Sequence, residues 1–143
     1  MIKGEKLMEI KNEDHKVFID FLNAYNECFY QKDIEKLKRF YDSKDNRLVY
    51  FDNHKNNDTY NLKQHLNLLS DFFEHGKTTE SGDVEPLIME NLNIFHKEKA
   101  ACLCFIARYK SFPEPAVRCT YYLECLENEW KIIHAHGSFQ PDK

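Results

Sequence analysis

The apolar positions of this chain change period once, and the change divides it into a helical front and a stranded back. Phe18, Phe21, Leu22, Tyr25, Cys28 and Phe29 recur three or four residues apart, the spacing of one broad helix face. Asp14 is placed to cap that helix. After a break at Gln31-Lys32, Asp33 is placed to cap a second, shorter helix carrying Ile34, Leu37 and Phe40. Arg47 to Asp52 reads as a short strand and Asn53 to Asp58 as a polar turn cluster. Leu62, Leu66, Leu69, Phe72 and Phe73 mark a third helix, with Gly76 as its stop and Lys77 to Asp83 as a loop.

From Val84 onward the texture is that of strands. Val84 to His96, Ala100 to Phe112, Val117 to Glu127 and Trp130 to Phe139 are separated by Lys97-Glu98-Lys99, Pro113-Glu114-Pro115 and Asn128-Glu129. Connections this short join antiparallel neighbours. No helix is interleaved between these strands, so the helices cover one face of one curved sheet, which is an α+β arrangement.

The last run alternates. Trp130, Ile132, His134, His136 and Ser138 share one face, and Ile133, Ala135, Gly137 and Phe139 the other. Two histidines two apart sit side by side on a sheet surface. The apolar face is expected to meet helices or line a cavity, and the histidine face to meet another layer such as a second subunit. These lists depend on strand parity, and a single β-bulge inverts them beyond it.

Composition narrows the class. The 143 residues suit one domain, expected over 12–143 behind a mobile lead at 1–11. With 14% aromatics, including 11 Phe and 8 Tyr, the chain has material for a large core or a ligand cavity. The net charge is −4 with acids and bases interspersed, so no basic stripe points to nucleic acid. Lys32, Lys36, Lys38 and Arg39 are balanced by Asp33 and Glu35, as on a solvated helix face. Five cysteines without a CxxC read as reduced core residues of a reducing compartment. No apolar signal segment or membrane span is seen, so the expectation is a cytoplasmic protein.

The layout, together with the segments FLNAYNECFYQKDIEKL, KAACLCFIARY and WKIIHAHGSFQP, resembles the nuclear transport factor 2-like superfamily. Within it the chain is most similar to the SnoaL-like group and to the association (hub) domain of calcium/calmodulin-dependent kinase. The resemblance implies a cone-shaped, cystatin-like fold, with three N-terminal helices on a curved, mainly antiparallel sheet. It also implies a pocket at the open end and homodimers formed through the sheet faces. The superfamily hosts isomerases, cyclases, dehydratases and non-catalytic assembly modules, so the fold does not name an activity.

Asp52 closes the first strand where, by resemblance, isomerase-like relatives carry a proton-abstracting carboxylate. Equally, Asp52 is suited to begin the turn at Asn53. His65 borders the apolar stripe of the third helix, as a ligand-facing acid or as a structural histidine. Tyr25, Tyr50 and Tyr121 are candidate donors to an enolate oxygen, or plain aromatic core. Phe105, Ala107 and Tyr109, then Cys119, Tyr121 and Leu123, then Ile133, Ala135 and Gly137 form the face suited to a pocket. The hub's pocket arginines correspond to Ala107, Tyr121 and Gly137 here, and its helix tyrosine to Leu37, which argues against a small carboxylate ligand.

His134, His136 and Arg118 are assigned to the dimer face, and Arg108 to the same side of the sheet. Cys102 and Cys104 repeat the histidines' spacing, so a Cys/His metal site requires the strands to bring those faces together. No further ligand lies at suitable spacing, and no metal or cofactor is expected. No GxGxxG, Walker loop or GxSxG occurs. The expected protein is a SnoaL-like homodimer with a pocket for an apolar or aromatic molecule. If catalytic, it transfers a proton beside a carbonyl, with Asp52 as base and His65 or Tyr50 as acid or oxyanion donor. The rival is a non-catalytic ligand-binding or oligomerisation module.

Overall fold

The computed structural model describes residues 14–75, 87–111 and 113–141. The expected lead at 1–11, the Asp14 cap, the stop at Gly76, the loop at 77–83 and the strand start at Val84 lie outside the described residues and side chains. Helix α1 (Asp14–Gln31) buries Phe18, Leu22, Tyr25 and Cys28, the stripe its spacing predicts. It ends where Lys32 turns left-handed at φ 53°. Asp33 N then donates to Cys28 O and Lys32 N to Phe29 O, satisfying two terminal carbonyls. The Asp33 side chain accepts from Lys36 N at 3.0 Å and starts α2 (Ile34–Leu37), which tightens into a 3-10 turn at Lys38–Phe40. In the same way Asn61 Oδ1 accepts from Gln64 N at the head of α3 (Leu62–His75).

Five strands follow the order β1-β5-β4-β3-β2: β1 (Val49–Phe51), β2 (Leu87–Lys97), β3 (Ala100–Tyr109), β4 (Ala116–Leu126) and β5 (Glu129–Gln140). The meander is antiparallel as expected, and β1 joins it by pairing parallel to β5. The final turn falls on Glu127-Asn128, both at positive φ, one residue earlier than the pattern suggests. Among the described residues no helix is long and apolar enough to cross a membrane.

Two bulges correct the strict alternation. Tyr122 pairs with His134 and Leu123 with Ile132, so Ile133 has no partner on β4. Ile132 and Ala135 are therefore both fully buried although they are three residues apart. Trp130 and Ile132 belong to the helix-covered face and not, as expected, to the histidine face. Trp130 packs edge-on against Phe18 at 5.0 Å. Ile133 leaves the pocket-face set, while His134 and His136 stay outward because they follow the bulge. On β2, Glu90 pairs with Ile106 and Asn93 with Cys104; Asn91 sits in the shift at φ 55°. Met89 and Leu92 thereby both turn inward.

Asn91 is a residue type that tolerates the left-handed region, and a β-branched side chain is not. Asn91→Gly is expected to leave stability within a few tenths of a kcal/mol. Asn91→Val should cost about 1–2 kcal/mol. Urea melts of the two variants check this.

Candidate functional site

Five side chains from five elements close a circuit inside the cone. Tyr25 comes from α1, Tyr41 from the segment after the 3-10 turn, His65 from the first turns of α3, Tyr50 from β1 and Tyr121 from β4. The Tyr25 and Tyr41 hydroxyls are 2.6 Å apart, and the Tyr41 hydroxyl lies 3.1 Å from His65 Nε2. Tyr50 stacks on His65 with centroids 4.3 Å apart and planes at 19°. Its hydroxyl reaches that of Tyr121 at 3.4 Å, and Tyr121 meets Tyr25 edge-on at 5.8 Å.

Burial sets the protonation of this circuit. It raises Tyr25 above the ordinary phenol range and Tyr41, Tyr50 and Tyr121 well above it. It lowers the His65 imidazole to about 4. All four phenols keep their protons at neutral pH, and His65 is uncharged. When Nε2 accepts, Tyr41 donates to it and Tyr25 donates to Tyr41, so each of those polar groups has a partner. The Tyr50–Tyr121 contact is longer than the roughly 2.7–2.8 Å of a good O–H···O bond.

Asp52 stands at the edge of this circuit. It follows Tyr50 by two residues, so it leaves β1 on the same side. Its charge contributes to raising Tyr50 and, after burial, to pushing the Cys119 thiol up to about 12. It also serves the turn: Oδ2 accepts from Asn57 Nδ2 at 3.0 Å, and its backbone N–H donates to Asp58 Oδ1 at 2.9 Å. These hydrogen bonds are those of the turn reading of Asp52. The turn folds over the end of β5. His54 meets Phe139 at 5.5 Å between ring centroids. Asn53 Oδ1 would lie 3.9 Å from a Cβ placed on Gly137, and it is buried without a hydrogen-bond partner.

The other expected pocket residues lie along the inner face. Phe105, Ala107, Tyr121, Leu123 and Ala135 are all buried, and Gly137 pairs with Cys119. Two open concavities occur elsewhere. One of about 630 Å³ runs beside α1, with Phe21, Cys28, Phe40 and Trp130 in its wall. The other, about 520 Å³, lies between α2 and α3. Neither is lined by the inner-face residues, which pack against one another. On the outer face His134 Nδ1 donates to Val49 O at 2.7 Å, and His136 is exposed beside Phe51. Arg118 donates to Phe139 O, and Arg108 pairs with Glu90 and Glu114. Tyr41 and Asn53 were not among the expected site residues. Tyr41 stands four residues after Leu37 and seven after Ile34, a helical spacing that could have marked it, although the chain leaves the 3-10 turn there in extended backbone.

The SnoaL-like domain profile matches residues 19–142. The chain belongs to the SnoaL-like domain family. Its fold agrees with that of solved structures. A nuclear transport factor 2-like protein of Cytophaga hutchinsonii superposes with a TM-score of 0.70 at 13% identity, covering 90% of this chain and 99% of that one. One from Shewanella oneidensis, of unknown function, gives 0.69 at 16%, covering 87% and 98%. A Xanthomonas campestris protein named for a calcium/calmodulin dependent protein kinase II association domain gives 0.68 at 16%, covering 93% and 91%. No curated protein matches the chain. At such identities the likeness of this SnoaL-like chain to these structures is one of fold.

Two outcomes follow for this SnoaL-like core. Tyr41→Phe removes the hydroxyl shared by Tyr25 and His65, and should cost about 1–3 kcal/mol in a denaturant melt. The second concerns pH. A histidine takes up its proton near 6.5 when unfolded, and His65 does so only near 4 when folded. Between those values the unfolded chain binds more protons, so stability falls as pH drops through that window. The full loss is about 3 kcal/mol. His65→Gln should flatten that part of the stability-against-pH curve.

Proposed function

We propose that this SnoaL-like protein binds a small apolar or aromatic carbonyl compound within the cone and moves a proton on the carbon beside the carbonyl, without a cofactor. The observation that carries the reading is the loose Tyr50–Tyr121 pair, 3.4 Å apart, next to the Asp52 carboxylate. A carbonyl oxygen placed between the two hydroxyls receives two short donors where they now share one long contact. Both phenols are held neutral, so they stabilise a developing enolate by donation without losing their protons. Asp52 takes the proton from the carbon. His65 then acts by stacking on Tyr50 and positioning it, and is not the acid itself.

The rival is a module that binds or assembles without turnover. It draws support from Tyr25, Tyr41 and His65, which satisfy one another without any ligand.

The test is deuterium exchange at the α-carbon of 2-tetralone in D2O, followed by NMR, alongside tyrosine fluorescence as a binding signal. Exchange above the buffer rate is expected, falling about 10²–10⁴-fold in Asp52→Asn. Tyr121→Phe should lower it about 10²–10³-fold. Binding without exchange favours the rival. Exchange unchanged in Asp52→Asn overturns the assigned base.

A further inference from the structure

The cysteine pair at 102 and 104 takes no part in the site above. Both residues lie on the outer face of β3, beside Phe95 and Asn93 of β2 and Tyr122 and Thr120 of β4. The sequence left open whether they join His134 and His136 around one ion. They share a face with those histidines, but β4 runs between: Cys102 pairs with Tyr122, which pairs with His134, and Cys104 with Thr120, which pairs with His136. Two strand spacings put the sulfurs and imidazoles on lines about 9.6 Å apart, too far for a shared ion. Among the described residues no group of three His, Cys, Asp or Glu is suited to a metal.

The pair itself is arranged for a different ligand. The two Sγ atoms are 3.9 Å apart, both residues are half-buried, and both are free thiols. A pyramidal centre bonded to two sulfurs at roughly 2.3 Å holds them about 3.3–3.6 Å apart, so this pair closes on such a centre by a shift of about half an ångström. A disulfide instead requires the sulfurs to approach to about 2.05 Å, across a strand spacing at the upper limit of disulfide geometry. The chelate is therefore the easier product. Phe95, 66% exposed, stands beside Cys102 and offers an apolar seat for an organic substituent.

We propose that Cys102 and Cys104 form a dithiol site for thiophilic acceptors that take two sulfurs at once, with organic trivalent arsenicals as the ligand class. With phenylarsine oxide the step is a condensation. Two As–S bonds form, the As=O bond is lost, and the oxygen leaves as water with both thiol protons; no oxidant or reductant is consumed. Burial and the Cys104 neighbour push the Cys102 thiol up to about 11, so Cys102 brings its proton to that water at neutral pH.

The folded protein is treated with one equivalent of phenylarsine oxide, washed with excess monothiol and weighed by native mass spectrometry. One adduct, heavier by the arsenical less one water, is expected. Alkylation followed by trypsin should then place it on the peptide from Ala100 to Arg108, which holds Cys102 and Cys104 and no other cysteine. Cys102→Ser and Cys104→Ser should each lose the monothiol-resistant adduct. The peptide assignment on the unaltered chain decides the matter even if a variant folds poorly. No adduct, or one that maps to Cys28, Cys119 or Cys125, overturns the proposal.

Discussion

Four phenols and an imidazole cannot be taken out of water unless their polar atoms find partners, and in this protein much of the interior is arranged by that requirement. An unpaired buried hydroxyl costs about 1–3 kcal/mol, as much as a sizeable part of a small domain's net stability. Tyr25, Tyr41 and His65 answer it with two hydrogen bonds, and Tyr50 and Tyr121 with one long contact and close ring packing. Each residue comes from a different element, so the circuit ties α1, the segment after α2, β1, α3 and β4 to one point. The same contacts fix the chemistry available there: neutral donors, an uncharged histidine and one carboxylate at the edge.

The bulges decide what reaches that point. At Ile133 one additional residue lets both Ile132 and Ala135 face the helices. The first bridges to Tyr41, and the second lies beside Tyr121. At Asn91 the same device turns Met89 and Leu92 inward on the edge strand. A sheet bent over a helical layer has to change its facing along its length, and an extra residue is the cheap way of doing so. The outer face keeps its own order, with the thiols, Thr120 and Tyr122, and the histidines in successive strands.

Much of the candidate site was legible from residue type and spacing. His65, Tyr25, Tyr50 and Tyr121 stood on apolar stripes or strand faces, and the structure brings all of them together. Tyr41 continues the spacing of Ile34 and Leu37, but Phe40 beside it reads as the end of that stripe, and the structure places Tyr41 in extended backbone just after the 3-10 turn. Asn53 looked like turn chemistry, and it is; its position over Gly137 depends on a parallel pairing between β1 and β5 that joins residues some eighty positions apart. Nothing local encodes that contact.

By itself the sequence determined the order of the elements, the helix cap at Asp33, the meander and the outward pair of histidines. Those follow from short-range rules: side-chain period, capping groups and the reach of a two-residue turn. Only the tertiary structure decided the facing of Trp130, Ile132 and Ile133, the membership of Tyr41, and the gap that β4 opens between thiols and imidazoles. Each depends on register between strands, and register is chosen by the packing of whole faces against the helices, not by any one segment.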